Sequence, residues 1–130
     1  MQRRRFLFAG LLLIPALALA GEGVPLRGKL TETGIRLTDG KVVTLKGDED
    51  TMGVLRDPRL LGSDFEVIGK AAAPGQFEVD PIQTHALFVY RDSKRLRVTY
   101  WCDICAIRTY TPGLCWCCRE DSVLDPREDA

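Results

Sequence analysis

The sequence lacks most of the features that would announce a chemistry. It has a single histidine, His85, and no cysteine before position 102. It contains no glycine-rich phosphate loop, no nucleophile elbow and no H-E-x-x-H pair, so nothing in the residue pattern argues for an enzyme. No serine, cysteine or acid motif accompanies His85, which reads as an exposed or hydrogen-bonded side chain. Net charge is missing too, with 18 Lys+Arg against 18 Asp+Glu. Without a basic excess there is no electrostatic case for nucleic acid as the partner. Repeats and long low-complexity stretches are absent, and one domain of this length can bury its own core.

No apolar run reaches the ~20 residues that a membrane helix needs. The longest, residues 6–20, contains Gly10 and Pro15 and follows the basic stretch Gln2-Arg3-Arg4-Arg5. Ala18-Leu19-Ala20 has the A-x-A form of an export cleavage site, so residues 1–20 are expected to be a signal peptide cut before Gly21. No cysteine follows the run to take a lipid, and no membrane span is expected after cleavage. Arg3-Arg4-Arg5-Phe6-Leu7 resembles the twin-arginine export signal R-R-x-F-L, with Gln2 and Phe8 departing from its usual flanks. An ordinary Sec signal with three arginines in its basic region is the alternative. Either route implies a periplasmic or secreted protein, and losing those three arginines leaves the remainder mildly acidic.

Beyond Gly21 the dominant pattern has a period of two. Residues 24–30, 34–38 and 41–45 alternate apolar with polar, as half-buried strands do, and Asp39-Gly40 between the last two is a hairpin signal. Asp48-Glu49-Asp50 can cap a helical turn starting near Thr51; its spacing matches no calcium loop. Asp57-Pro58 is a second start signal, with Gly62 ending that turn. Strands return at residues 64–69 and 77–79, joined by the linker Ala71-Ala72-Ala73-Pro74-Gly75. Residues 86–90 and 96–100 read as a further hairpin around the four-residue turn Arg91-Asp92-Ser93-Lys94. Its basic side chains, Arg91, Lys94, Arg95 and Arg97, read as a solvated strand face in preference to an anion site.

Three strands, a short helical connection and two strands resemble the OB-fold, a five-stranded partly open barrel. The resemblance covers about residues 24–82, with Asp57-Pro58-Arg59-Leu60-Leu61-Gly62 before Phe65-Glu66-Val67-Ile68-Gly69-Lys70 as the helix-to-strand step. It implies a mostly β chain, a small antiparallel OB-like barrel over residues 21–118 with a C-terminal hairpin. It also implies a binding or scaffold role, toward a ligand or envelope protein that fold alone does not identify.

All five cysteines fall in residues 102–118. Cys102/Cys105 and Cys115/Cys118 form two C-x2-C knuckles nine residues apart, with Cys117 inside the second. This spacing matches a four-thiolate structural Zn²⁺ site, similar to a small zinc ribbon, with Cys117 as an alternative fourth ligand or a free thiol. Pro112-Gly113 supplies a turn that brings the knuckles together. Arg108 and Arg119 are placed to offset the site's net negative charge, and Tyr100, Trp101, Tyr110 and Trp116 to form a miniature core. An iron or Fe–S electron-transfer centre is the second reading. The C-P-x-C-G context of rubredoxin is missing, a Rieske centre needs two histidines, and no C-x-x-C is followed by His for c-type haem. Disulfides or a thiol-exchange pair are the third reading, which the adjacent Cys117-Cys118 and the absence of a thioredoxin-like pattern disfavour. Residues 119–130, mostly acidic and with Pro126, are expected to be a disordered tail.

Overall fold

The computed structural model describes residues 23–81 and 83–128; the expected signal peptide, residues 1–20, and its expected cleavage site lie outside them. Among the described residues the fold has eleven strands and one α-helix. β1 (Val24–Leu30), β2 (Gly34–Arg36) and β3 (Val42–Lys46) form an antiparallel meander. Between β2 and β3 only Gly40 has positive φ, at 89°, and Leu37 and Lys41 close the loop. The Asp39-Gly40 hairpin therefore has a three-residue loop, not a two-residue turn with both φ positive.

The helix α1 (Glu49–Leu55) starts where the acidic triplet predicts. Asp48 is the N-cap, its carboxylate accepting from the Thr51 amide at 2.8 Å, and Glu49 and Asp50 stand in the first turn where the helix dipole favours them. Thr51, Val54 and Leu55 form its buried face. The Asp57-Pro58 segment makes hydrogen-bonded turns rather than a helix, and leads into β4 (Asp64–Ala73).

β4 positions everything else. Its first half lies between β1, in register from Val24↔Gly69 to Lys29↔Asp64, and β6 (Leu87–Arg91). Its second half bends away to pair with β5 (Gln76–Val79). The switch falls at Gly69, where a Cβ would run into the Glu78 carbonyl, so only glycine allows the approach. The three alanines expected as linker continue the strand through a bulge, and only Pro74-Gly75 turn. β5 then pairs with β3, closing a ring in the order β1-β2-β3-β5-β4. This is the OB-like barrel with its helix between the third and fourth strands. Its β3–β5 seam is parallel, so the barrel is not antiparallel throughout.

Leu30, Ile35, Leu45, Val54, Leu60, Phe65, Val67 and Val79, with Leu87 and Val89 of β6, form one buried core. Outside the barrel, β6 turns through Asp92 and Ser93, both at positive φ, into β7 (Lys94–Arg97). The hairpin loop has two residues, shorter than the four expected. After β7 the ladder breaks at Val98 and Thr99, and the chain enters a second sheet of order β10-β8-β9, with β8 (Tyr100–Cys102) central. β9 (Ile107–Thr109) and β10 (Val123–Leu124) flank it, and β11 (Arg127–Glu128) returns to pair with β7. The segment from Arg119 to Glu128 is thus paired structure, not the disordered tail its composition suggests. It joins both sheets. Among the described residues no helix is long and apolar enough to cross a membrane.

Candidate metal centre

The two cysteine pairs lie on knuckles of the same backbone form. In the first, the Ala106 amide donates to the Cys102 carbonyl at 2.8 Å; in the second, the Arg119 amide donates to the Cys115 carbonyl at 2.8 Å. Ala106 and Arg119 sit at φ 56° and 67°, left-handed positions where glycine is preferred. The C-P-x-C-G context of rubredoxin is missing at both its proline position (Asp103, Trp116) and its glycine position (Ala106, Arg119), yet the backbone adopts the turn without the glycines. Amide hydrogens then face inward: the Cys105 N–H lies 3.4 Å from Cys102 Sγ.

The Sγ atoms of Cys102, Cys105, Cys115 and Cys118 all lie within 4.8 Å of one another. Four sulfurs around one metal at ~2.3 Å would stand about 3.8 Å apart along each tetrahedral edge. Cys102 Sγ and Cys118 Sγ are 3.5 Å apart, close to that edge and well beyond the ~2.05 Å of a disulfide. All five thiols are free, so the disulfide pairing weighed from the sequence is not formed. The four residues fit a tetrahedral metal ion and can hold one. Cys102 and Cys115 are buried, Cys105 and Cys118 half-buried, and Cys117 exposed.

The thiols differ electrostatically. Backbone N–H groups of Cys118 and Cys117 point at Cys115 and pull its pKa down to about 7. The neighbouring Cys117 thiol, followed by burial, pushes Cys105 up. His85 is exposed at the end of a 3₁₀ turn (Gln83–His85) and is not part of the sulfur group.

The surroundings differ from expectation in three respects. Arg108 does not offset thiolate charge: it lies over the Trp101 ring, 4.8 Å from its centroid, and donates to Thr99 Oγ1 at 2.8 Å and Asp125 Oδ2 at 2.9 Å. Nor do the four aromatics form a miniature core. Tyr100 belongs to the barrel core, whereas Trp116 is 73% exposed. Finally, Arg95 leaves the basic patch to pair with Glu66 at 2.7 Å and stack on Phe88.

Several residues that hold the knuckles in place were not singled out for that task. Tyr100 Oη donates to Asp57 Oδ2 at 2.7 Å in a buried contact, and Arg59 grips the same carboxylate through two side-chain bonds of 2.9 Å each. Arg59 also reaches the Ser122 carbonyl at 3.3 Å, and Ser122 bonds the Gly113 carbonyl through its amide and its hydroxyl. The barrel turn at Asp57 is thereby tied to the second knuckle. On the other flank, the Asp125 amide donates to the Thr99 carbonyl and the Thr99 hydroxyl donates to the Asp125 carbonyl. Asp57 carried a signal in the sequence, but it was a helix-start signal; Ser122 and Asp125 carried none.

Comparison of the chain with protein-family models, curated proteins and solved structures found no significant match.

Proposed function

We propose that Cys102, Cys105, Cys115 and Cys118 hold a structural Zn²⁺, and that the chain is an exported OB-like binding or scaffold module of the cell envelope stapled by that ion. The observation carrying the reading is the convergence of four sulfurs from two matched knuckles within 4.8 Å. Four protein thiolates complete a tetrahedral shell, which supports a structural role because a catalytic zinc keeps one position open. The segment also has need of a staple. Ile104 and Leu114 are 70% and 63% exposed, so the knuckles have little apolar burial of their own. Structural zinc supplies on the order of 10 kcal/mol or more to such segments. The first thiol of each knuckle, Cys102 and Cys115, is buried, and the β6–β7 hairpin leads directly into β8, both of which support a fixed site.

The experiment is metal analysis together with an absorption spectrum on protein exported by its native host. Stoichiometric zinc and no visible colour are expected. Iron with charge-transfer bands would overturn the zinc assignment in favour of an electron-transfer centre on the same thiolates. A metal-free protein with fewer than two titratable thiols would overturn the metal reading altogether. Finding the protein with its first 20 residues intact in the cytoplasm would overturn the export reading.

A further inference from the structure

The basic side chains of the β6–β7 hairpin meet others that come from far along the chain. A cleft of about 600 Å³ opens between the barrel sheet and the knuckle sheet, with Lys94, Arg97, Arg108 and Arg127 in its walls. These four cations arrive on β7, β9 and β11, so the fold, and not local composition, gathers them. Among the described residues Glu128 is the one acid in that lining. In a chain with equal numbers of acidic and basic residues, this is a local excess of positive charge.

We propose that this cleft is a binding site for a small oxyanion, a carboxylate or phosphate carried on an apolar body. The charge would be met by guanidinium forks, and the body by Leu96, Tyr110 and Pro126, which form the apolar part of the lining.

Asp125 positions the site without filling it. One of its oxygens, Oδ2, accepts both from Arg108 Nη1 and from Arg127 Nε, each at 2.9 Å. Arg127 is otherwise exposed, with 61% of its side chain accessible, and a guanidinium carries five N–H donors. Arg127 spends its Nε–H on Asp125, and Arg108 spends both Nη1 hydrogens, on Thr99 and Asp125. What remains is the Nη1/Nη2 edge of Arg127 and the Nε/Nη2 edge of Arg108, each able to meet a planar oxyanion through two parallel hydrogen bonds. Lys94 pairs with Glu128 at 3.4 Å, but both side chains are about two-thirds exposed. A pair this exposed adds little stability and can open to admit a stronger anion. The inference does not depend on which metal the knuckles hold.

The test is a titration of the full chain, followed by amide chemical shifts and calorimetry at low ionic strength. Four probes separate head group from body: acetate, benzoate, inorganic phosphate and phenyl phosphate, each against sodium chloride at matched ionic strength. Benzoate or phenyl phosphate should saturate shifts around Arg97, Arg108, Tyr110 and Arg127, at least tenfold more tightly than acetate or inorganic phosphate. Whichever of the two binds better names the head group. R127Q and K94Q each change one solvent-facing cation, and R127Q should weaken the better probe about tenfold. The proposal is overturned by shifts no larger than those given by chloride, or by saturation elsewhere on the surface. Affinity unchanged within twofold in the R127Q/K94Q double variant would overturn it as well.

Discussion

Removing a single oxygen tests whether the barrel and the knuckles are one cooperative structure. In Tyr100→Phe the ring, wholly buried, keeps its place in the core, and only the 2.7 Å bond to Asp57 is lost. A hydrogen bond to a charged acceptor contributes about 1.5–3 kcal/mol. Asp57 retains Arg59 through two side-chain bonds and one amide bond, so the upper part of that range is not reached and about 2 kcal/mol is expected. For a domain of this size that lowers Tm by roughly 10 °C. Asp57→Ala does more damage, because it strands the buried hydroxyl, while Arg59, 43% exposed, can turn to water; about 3 kcal/mol is expected. The two changes should not add. In the Asp57→Ala background, Tyr100→Phe removes the stranded hydroxyl and should cost nothing or restore some stability, giving a coupling energy of at least about 2 kcal/mol. The assay is thermal and urea unfolding of metal-saturated protein at one fixed metal concentration, since bound metal itself raises Tm. A cost below about 0.5 kcal/mol for Tyr100→Phe, or the same cost in both backgrounds, would refute the coupling assigned to this contact.

The other predictions concern the thiols, the knuckle backbone and acid stability. Cys102→Ser and Cys105→Ser should each release the metal and unfold residues 102–118, while Cys117→Ser should leave stoichiometry unchanged; metal loss on Cys117→Ser alone would show that the ligand set is misassigned. Ala106→Gly relieves a left-handed alanine and should stabilise the protein by about 1 kcal/mol in urea melts. Burial works against ionisation of Asp57, but bonds from Arg59 and Tyr100 outweigh it and hold its pKa below the usual carboxylate range. Its contribution is therefore complete above about pH 4, the unfolded value, and is lost as pH falls through the lower folded value. Asp57→Asn should flatten that acid limb of a stability–pH profile measured by urea melts.

The barrel's order was readable because each strand carries its own evidence. Alternation in residues 24–30 and the cap at Asp48 depend on neighbours within a few positions, where side-chain periodicity and capping act. Ring closure was carried by the OB-like order of elements alone. Thr44↔Gln76 and its neighbours pair strands some thirty residues apart, which leaves no local pattern. The two-residue strands β10 and β11 are shorter than one alternation, so Val123-Leu124 and Arg127-Glu128 read as tail. The cysteine spacing identified the sulfur group, since a C-x2-C turn brings its own two sulfurs together. Its supports were hidden because Asp57, Arg59 and Ser122 meet Tyr100 and Gly113 only in the folded chain.

The parallel seam between β3 and β5 bears on how the chain reaches this structure. The β1–β2–β3 meander can form from local contacts alone, but β3 then has an unpaired edge until α1, β4 and β5 have all been laid down. Non-local pairings of this kind slow folding, and bare edges invite pairing between molecules. Lys41 and Lys46 stand at either end of the apolar stretch Val42-Val43-Thr44-Leu45, putting charge on that edge while it waits. Replacing them with uncharged residues would leave the finished barrel almost untouched, and would show instead as aggregation during refolding, rising with protein concentration.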